Sequence, residues 1–179
     1  MEKWDAYDAM GRLTGDVLVR DEPIPEGLYH LVAHIWYRNK KGELLVQRRA
    51  LSRPLAPGLW ACTGGSALKG EDIELALRRE SMEEMGIEPD LEHSMHVLTY
   101  NTKDAITRVY IVPWEGDAKT LKLQDEEVMD AKWISRDELE ALIGKGDIFW
   151  QYRYLDLLVR FLKEHPAAEE AAASDFPPV

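Results

Sequence analysis

The sequence predicts an α+β fold, an α/β/α sandwich in which a mixed sheet is flanked by helices. Strand-like segments dominate the chain, one helix with clear start and stop signals stands in the middle, and two more helical segments stand near the end. The 179 residues amount to one ordinary domain. Neither an internal repeat nor an interdomain linker interrupts them.

The strands are predicted from runs rich in β-branched, aromatic and apolar residues. The runs 29–38 and 43–49 flank the turn Asn39-Lys40-Lys41-Gly42 and predict a hairpin. The other candidates, in chain order, are two extended pieces within 3–20, then 59–63, 95–101, 106–113 and 128–134. Loops are predicted at the proline-containing segments 21–27 and 52–58, and from Gly64-Gly65 to Glu71.

The central helix is predicted over 72–85, where apolar residues recur at helical spacing. Asp72 is a suitable N-cap, and Gly86 is a suitable residue just past the end. Further helices are predicted over 136–143 and 149–164. We therefore expect a single domain over 1–164, followed by a low-complexity, mobile tail over 165–179.

Composition excludes several classes of protein. Hydrophobic residues make up 45% of the chain and charged residues 31%, which rules out a wholly disordered chain, and no apolar stretch of about 18 residues exists to span a membrane. The net charge of −11 disfavours a nucleic-acid partner, although a bound divalent cation would still admit a small anionic substrate. One cysteine, Cys62, and a start without signal-peptide features predict a cytoplasmic protein.

Three carboxylates crowd the last turn of the central helix. Glu80, Glu83 and Glu84 stand at i, i+3 and i+4, which places them on one face. Their mutual repulsion and the helix dipole both disfavour this arrangement, and nothing local offsets all of it. A hard cation such as Mg²⁺ or Mn²⁺ reverses the cost. The alternative is a solvated charged face with Arg79 paired to Glu83.

The segment 64–87 reads GGSALKGEDIELALRRESMEEMGI. It resembles the Nudix box, G-x5-E-x7-R-E-U-x-E-E-x-G-U, in which U is bulky and apolar. The matching positions are Gly65, Glu71, Arg79, Glu80, Glu83, Glu84, Gly86 and Ile87. Ser81 departs from the pattern at an apolar position that faces the core in the family, so we expect a slightly looser helix contact and no lost chemistry.

The resemblance implies a Nudix fold with the box at 65–87. It also implies hydrolysis, dependent on Mg²⁺ or Mn²⁺, of a nucleoside diphosphate or another diphosphate linked to a group X. By this resemblance Glu80, Glu83, Glu84 and a carbonyl of Gly64 or Gly65 are the metal ligands.

The resemblance further implies the catalytic roles. Glu80 or Glu83 serves as general base, Arg79 orients the carboxylates, and Glu71 pairs with Arg79. Family habit predicts a homodimer.

Substrate candidates lie outside the box. Arg48, Arg49 and Arg53 are near the predicted mouth of the site and are suited to bidentate binding of phosphate, the alternative being surface salt bridges. In several such enzymes a further acid comes from a loop near the final strand. Glu126 and Glu127 are the candidates for it here, the alternative being solvated loop charges.

A second resemblance covers most of residues 3–145. The stretches WDAYD, LLVQRRALS, PGLW and DEEVMDAKW are similar to type I isopentenyl-diphosphate isomerase, which shares the Nudix fold. The Cys-Gly-His run that those isomerases use falls here on Gly64, Gly65 and Ser66, while the hydrolase box is intact. The hydrolase is therefore favoured over an isomerase.

Two further alternatives are a histidine metal site and a non-enzymatic role. His30 matches a metal-binding histidine of the isomerases and forms H-x3-H with His34, but on a strand the two side chains are too far apart for one ion, so we expect structural histidines. A Nudix-fold module that binds without catalysis is the non-enzymatic alternative.

Overall fold

The structure, a computed structural model, describes residues 1–149 and 152–169. In chain order its elements are β1 (Lys3–Tyr7), β2 (Leu13–Val19), β3 (His30–Arg38), β4 (Leu44–Arg49), β5 (Trp60–Ala61), β6 (Thr63–Ser66), α1 (Ile73–Met85), β7 (Met95–Asn101), β8 (Ala105–Pro113), β9 (Val128–Ile134), α2 (Arg136–Lys145) and α3 (Leu155–Glu164). A 3-10 turn spans Ala118–Thr120. No helix among the described residues has the length and apolar character that a membrane crossing needs.

The fold class is the one that the sequence predicts, a mixed sheet flanked by helices. Seven strands form one sheet, in which the hydrogen-bonded order is β5-β4-β3-β8-β7, β6 pairs with β3, and β9 pairs with β4. The pair β1-β2 forms a separate two-stranded sheet. The described residues divide into two compact units, Met1–Trp36 with Thr63–Val112, and Tyr37–Cys62 with the described residues from Pro113 onward.

The central helix begins and ends where the sequence predicts. The Asp72 side chain accepts a hydrogen bond from the backbone N–H of Leu75, which satisfies one of the free donors of the first turn. Gly86 adopts a left-handed conformation, with φ of 66°, and its N–H donates to the carbonyl of Met82. Buried Ile73, Ala76 and Leu77 form the apolar face.

The predicted loop at Gly64-Gly65 is wrong, because these residues form strand β6. Gly64 is the antiparallel partner of His34, and Gly65 is that of Ala33. A Cβ on Gly64, whose φ is +150°, would stand 2.0 Å from the carbonyl oxygen of Ala33. The strand therefore approaches its neighbour at a distance that only glycine permits.

The third helix starts later than the predicted residue 149. Phe149 donates its N–H to the carbonyl of Trp60, and Trp60 donates to the carbonyl of Asp147, so this stretch pairs with β5 through a parallel bridge between Trp60 and Ile148. The helix begins at Leu155. Residues 150 and 151 of the predicted helix lie outside the described residues.

The described part of the predicted tail, residues 165–169, contacts the β3–β4 turn. Arg38 donates to the carbonyl of His165 at 2.8 Å, and the N–H of Glu169 donates to the carbonyl of Lys40 at 3.1 Å. Residues 170–179 lie outside the described residues. The boundary at 164 and the mobility of the tail therefore stay predictions.

Candidate active site

Arg79 lies at the centre of the acidic cluster. Its Nε and Nη2 donate to the two carboxylate oxygens of Glu71 at 2.8 and 3.0 Å. Its Nη1 donates to Glu80 at 2.8 Å and to Glu83 at 3.2 Å, and Nη2 also donates to the carbonyl of Ser66 at 2.9 Å. The fork geometry of a guanidinium suits this set of acceptors. Arg79 therefore offsets part of the repulsion that the sequence predicts, since it contacts two of the three carboxylates of α1.

Glu71 is held on both sides. Its carboxylate accepts the N–H of Leu68 at 2.8 Å as well as the two bonds from Arg79. Burial raises the pKa of Glu71, but the hydrogen bonds from Arg79 and from Leu68 outweigh it and hold the pKa below its usual range. For Arg79, burial acts to lower the pKa, while Glu71 and Glu80 raise it well above the usual value. Both groups of this pair are therefore ionised at neutral pH.

Glu84 is buried, with 3% of its surface exposed. Its carboxylate accepts the backbone N–H of Gly64 at 3.0 Å, a charge-assisted bond that joins α1 to β6. A buried carboxylate is costly without such partners. Glu84 thus lies against the strand, while Glu80 and Glu83 contact Arg79.

Gly65 leaves room for the carboxylate of Glu80. A Cβ at this position would stand 2.4 Å from Oε1 and 2.8 Å from Oε2 of Glu80. The missing side chain therefore lets this carboxylate lie directly against the backbone of β6.

Ser81, the departure from the box, is fully buried. Its Oγ donates to the carbonyl of Ile87 at 2.6 Å, and the N–H of Ile87 donates to the carbonyl of Ser81 at 3.3 Å. The expected looser helix contact is replaced by a reciprocal pair of hydrogen bonds that fixes the end of α1.

The substrate candidates lie in the second compact unit. Arg53 pairs with Glu127 at 3.0 Å. Arg48 donates to the carbonyl of Gly58 at 2.9 Å, and Arg49 donates to the carbonyl of Leu55 at 3.0 Å. Each of these last two guanidinium groups also lies over an aromatic ring, that of Trp60 for Arg48 and that of Phe149 for Arg49. The carbonyl of Glu126 accepts from Ser52 Oγ at 3.3 Å.

The two histidines lie on β3, as predicted. Burial lowers the pKa of His34 to about 3 and that of His30 to about 4. His30 stacks on Trp4 with ring centroids 4.3 Å apart. Both histidines are therefore neutral at pH 7.

Two polar groups of the site were not predicted from the sequence. The carbonyl of Ser66 accepts from Arg79, and the carboxylate of Asp5 accepts the N–H of Gly70 at 2.7 Å. A backbone carbonyl carries no sequence signal. Asp5 belongs to the WDAYD stretch, but nothing in the sequence indicates that its partner is the distant N–H of Gly70.

The chemistry of the donors suits a hard cation. Carboxylate and carbonyl oxygens are the ligands that Mg²⁺ and Mn²⁺ prefer, and Gly65 leaves space for Glu80 beside the backbone. Within residues 1–149 and 152–169, no group of three acidic, His or Cys side chains is arranged as a ready metal site. Arg79 and the Gly64 N–H hold these carboxylates instead.

Comparison with known proteins identifies the family. The family model of the NUDIX domain matches residues 28–157, a span that runs through both compact units. The chain belongs to the Nudix hydrolase family. An uncharacterized Nudix hydrolase of Listeria monocytogenes is 36% identical over 159 residues, which cover 88% of this chain and 94% of that protein.

The chain is also similar to an isomerase and to two solved structures. Isopentenyl-diphosphate Delta-isomerase of Shigella flexneri is 33% identical over 151 residues, covering 81% of this chain and 82% of that protein. The crystal structure of DR0079 from Deinococcus radiodurans matches with a TM-score of 0.73 at 24% identity, covering 89% of this chain and 98% of that one. The NUDIX domain of Shewanella oneidensis NrtR, solved with ADP ribose, matches with a TM-score of 0.56 at 20% identity, covering 76% of this chain and 87% of that one. These two structures support the fold, and the Nudix family supports hydrolysis of a diphosphate-containing substrate.

Proposed function

We propose that this Nudix hydrolase uses Mg²⁺ or Mn²⁺ to cleave the diphosphate linkage of a nucleoside diphosphate joined to a group X, or of a related small molecule. The observation that carries the proposal is the cluster of four carboxylates around Arg79 and β6. Three of them, Glu71, Glu80 and Glu83, are bound by one guanidinium. Repulsion among so many acidic groups on one short segment lowers the stability of the fold. A bound dication would relieve this repulsion, which would favour its binding.

The metal ligands in this proposal are Glu80, Glu83, Glu84 and the carbonyl of Gly64. All are hard oxygen donors, of the kind that hold Mg²⁺ together with substrate phosphate oxygens. When bound, the metal neutralises charge on the diphosphate and makes a water molecule more acidic.

Arg79 has two tasks in this proposal. It offsets the repulsion between Glu80 and Glu83 through its Nη1 group. Its separate bidentate bond to Glu71 keeps the guanidinium in place when Glu80 and Glu83 turn to another partner. Glu71 is therefore the anchor of Arg79, and Arg79 orients the two carboxylates.

The proton of the attacking water passes to Glu80 or Glu83. Glu83 is half-exposed, with 53% of its side-chain surface accessible, while Glu80 has only 13%. A general base must reach the proton that it removes. Both carboxylates contact the same guanidinium group of Arg79. Substituting each of them in turn and comparing kcat would assign the general base.

The substrate residues in this proposal are Arg48, Arg49, Arg53 and Glu127. Arg48 and Arg49 use Nε for backbone carbonyls, which leaves their terminal nitrogens to bind phosphate. Arg53 is paired with Glu127, so this pair would have to open to take part.

Isomerase activity is the second candidate, supported by the 33% identity to isopentenyl-diphosphate Delta-isomerase. The sulfur available here is that of Cys62, which is 2% exposed and lies 3.9 Å from the hydroxyl of Tyr154. A thiol so buried is poorly placed to donate a proton to a substrate. Incubation with isopentenyl diphosphate tests this candidate, and formation of the allylic isomer would overturn our choice.

The test of the proposal is a panel of diphosphate compounds incubated with Mg²⁺ or Mn²⁺. The panel contains nucleoside diphosphate sugars, dinucleoside polyphosphates, oxidised nucleotides and isoprenoid-like diphosphates. We expect hydrolysis of at least one class. Tight binding without turnover under any metal would instead indicate a non-catalytic binding module.

Charge-neutralising variants test the site. Glu83→Gln and Glu84→Gln should each lower kcat about 100-fold or more, because a lost metal ligand costs at least as much as a lost partner of a ligand. Glu74→Gln removes the same charge from an exposed position of the same helix and should leave kcat unchanged. Wild-type turnover in both Glu83→Gln and Glu84→Gln would show that the site assignment is wrong.

A further inference from the structure

The β1–β2 hairpin lies outside the matched NUDIX span, which starts at residue 28, yet it contacts the loop that carries Glu71. The carbonyl of Lys3 accepts the N–H of Lys69 at 2.8 Å. Two residues further along β1, the carboxylate of Asp5 accepts the N–H of Gly70 at 2.7 Å. The hairpin therefore satisfies two consecutive backbone donors of the box loop.

Apolar packing fixes the hairpin in this position. Trp4, Ala6 and Leu18 form a buried cluster, and Leu28 and Leu68 pack against it. Tyr7 and Tyr29 exchange two backbone hydrogen bonds at 2.8 and 2.9 Å. Asp5 points away from this apolar side because neighbouring residues of a strand face opposite ways. Its carboxylate therefore projects from a strand that is packed on its other side.

Gly70, whose N–H bonds to Asp5, lies directly before Glu71. It has a φ of +85°, a left-handed conformation that glycine adopts without strain, so the contacts of its N–H help to decide how the peptide before Glu71 is held. The next residue is Glu71, whose own carboxylate bonds to Leu68 N–H and to Arg79. A change in the peptide before Glu71 is therefore passed on to the carboxylate that anchors Arg79.

We propose that Asp5 is a positioning residue for the hydrolysis. By holding the Gly70 N–H, it fixes Glu71, and Glu71 in turn fixes the guanidinium that orients Glu80 and Glu83. This inference rests on the proposed function. It assigns to the hairpin a role that the matched domain alone does not contain.

The variants Asp5→Ala and Asp5→Asn test the inference. Asp5→Ala removes the acceptor and should lower kcat about tenfold with little change in KM, since displacements of about 1 Å at a catalytic group cost up to 100-fold. Asp5→Asn keeps a carbonyl oxygen for the Gly70 N–H and should stay within about threefold of wild type. Asp16→Ala is the matched control, because Asp16 lies exposed on β2 and bonds to Thr14 within the hairpin; it should match wild type.

A second readout does not depend on turnover. The NMR signal of the Arg79 Nε–H reports its 2.8 Å bond to Glu71, and exchange of the Gly70 amide reports the bond to Asp5. Asp5→Ala should shift the first and accelerate the second, whereas Asp16→Ala should change neither. If the wild-type protein hydrolyses no diphosphate, the proposed function fails while these signals still decide whether Asp5 positions Arg79.

Three results would overturn the inference. The first is a kcat of Asp5→Ala equal to that of Asp16→Ala. The second is a loss of kcat in Asp5→Ala that Asp5→Asn does not reduce, since the acceptor atom is then irrelevant. The third is an unchanged Arg79 signal in folded Asp5→Ala protein.

Discussion

Gly65→Ala is a small change with a large expected effect on catalysis. The new Cβ would stand 2.4 Å from Oε1 and 2.6 Å from Cδ of Glu80. Ordinary contact begins near 3.4 Å, so the carboxylate must retreat by about 1 Å. A shift of that size breaks the 2.8 Å bond to Arg79 or moves Glu80 off its productive position.

The expected cost follows from this displacement. A catalytic group misplaced by about 1 Å loses on the order of 100-fold in rate. The obstacle is the end of a flexible side chain, so we expect the fold to survive, with a small change in Tm. The assay combines kcat on the best diphosphate of the panel with thermal unfolding.

Gly144→Ala is the matched control for Gly65→Ala. A Cβ on Gly144, within α2, meets nothing within 4 Å, and alanine favours a helix over glycine by about 1 kcal/mol. This variant should keep wild-type kcat and gain a little stability. If Gly65→Ala keeps kcat within about threefold of wild type, the position of Glu80 against β6 is irrelevant to the reaction and our reasoning is refuted.

Three further predictions follow from particular contacts. Arg79→Lys should lower kcat about 100-fold, because an ammonium cannot reproduce the fork that binds three carboxylates. Ser81→Ala should lower the free energy of unfolding in urea by about 1–3 kcal/mol, because the buried carbonyl of Ile87 loses its donor. The free energy of unfolding should fall as the pH drops below about 6.5, by about 1.4 kcal/mol per pH unit for each of His30 and His34. The reason is that both histidines are protonated in the unfolded chain, whereas in the folded protein they stay neutral down to pKa values of about 4 and 3.

Each of these predictions has a control and a contradicting result. Arg78→Lys, on the exposed neighbour that pairs with Glu88, should leave kcat unchanged, and an equal loss in both arginine variants would contradict the role of Arg79. A Ser81→Ala protein as stable as wild type would show that the bond to Ile87 contributes nothing. Urea unfolding that is flat between pH 6.5 and pH 4 would contradict the assignment of neutral histidines on β3.

Local signals predicted the parts of the fold that depend on local interactions. Asp72 and Gly86 mark the ends of α1 because capping involves residues within one turn. The bounds of β7 and β9, Met95–Asn101 and Val128–Ile134, coincide with the predicted ones. Alternation and apolar content were sufficient for these strands.

Long-range pairing explains the elements that were predicted wrongly. Gly64 and Gly65 have poor strand propensity, and only their pairing with His34 and Ala33 makes them β6. In the same way, the bridge from Trp60 pairs Ile148 with β5, where the local pattern had predicted the approach to a helix. No local pattern encodes a partner so distant in sequence.

In the acidic site, too, local patterns were predictable from the sequence and long-range contacts were not. The box pattern identified Glu71 and Arg79 as a group, and the structure places them in bidentate contact. The contribution of Asp5 depends on the docking of a hairpin 65 residues away in sequence from Gly70. Ser81 departs from an apolar position of the box. Its hydroxyl bonds to the carbonyl of Ile87, a contact that depends on how the chain turns at the end of α1 and that the sequence does not reveal.

The central claim is that the acidic cluster of α1 holds a divalent cation beside a diphosphate, and calorimetric titration of Mn²⁺ tests it most directly. The titration is made with the wild-type protein and with Glu83→Gln, each in the presence of a non-hydrolysable diphosphate compound, with Glu74→Gln as control. We predict that wild type and Glu74→Gln bind Mn²⁺ and that Glu83→Gln binds it at least about tenfold more weakly. Equal Mn²⁺ affinity in all three proteins, or no Mn²⁺ binding by the wild type, would contradict the claim.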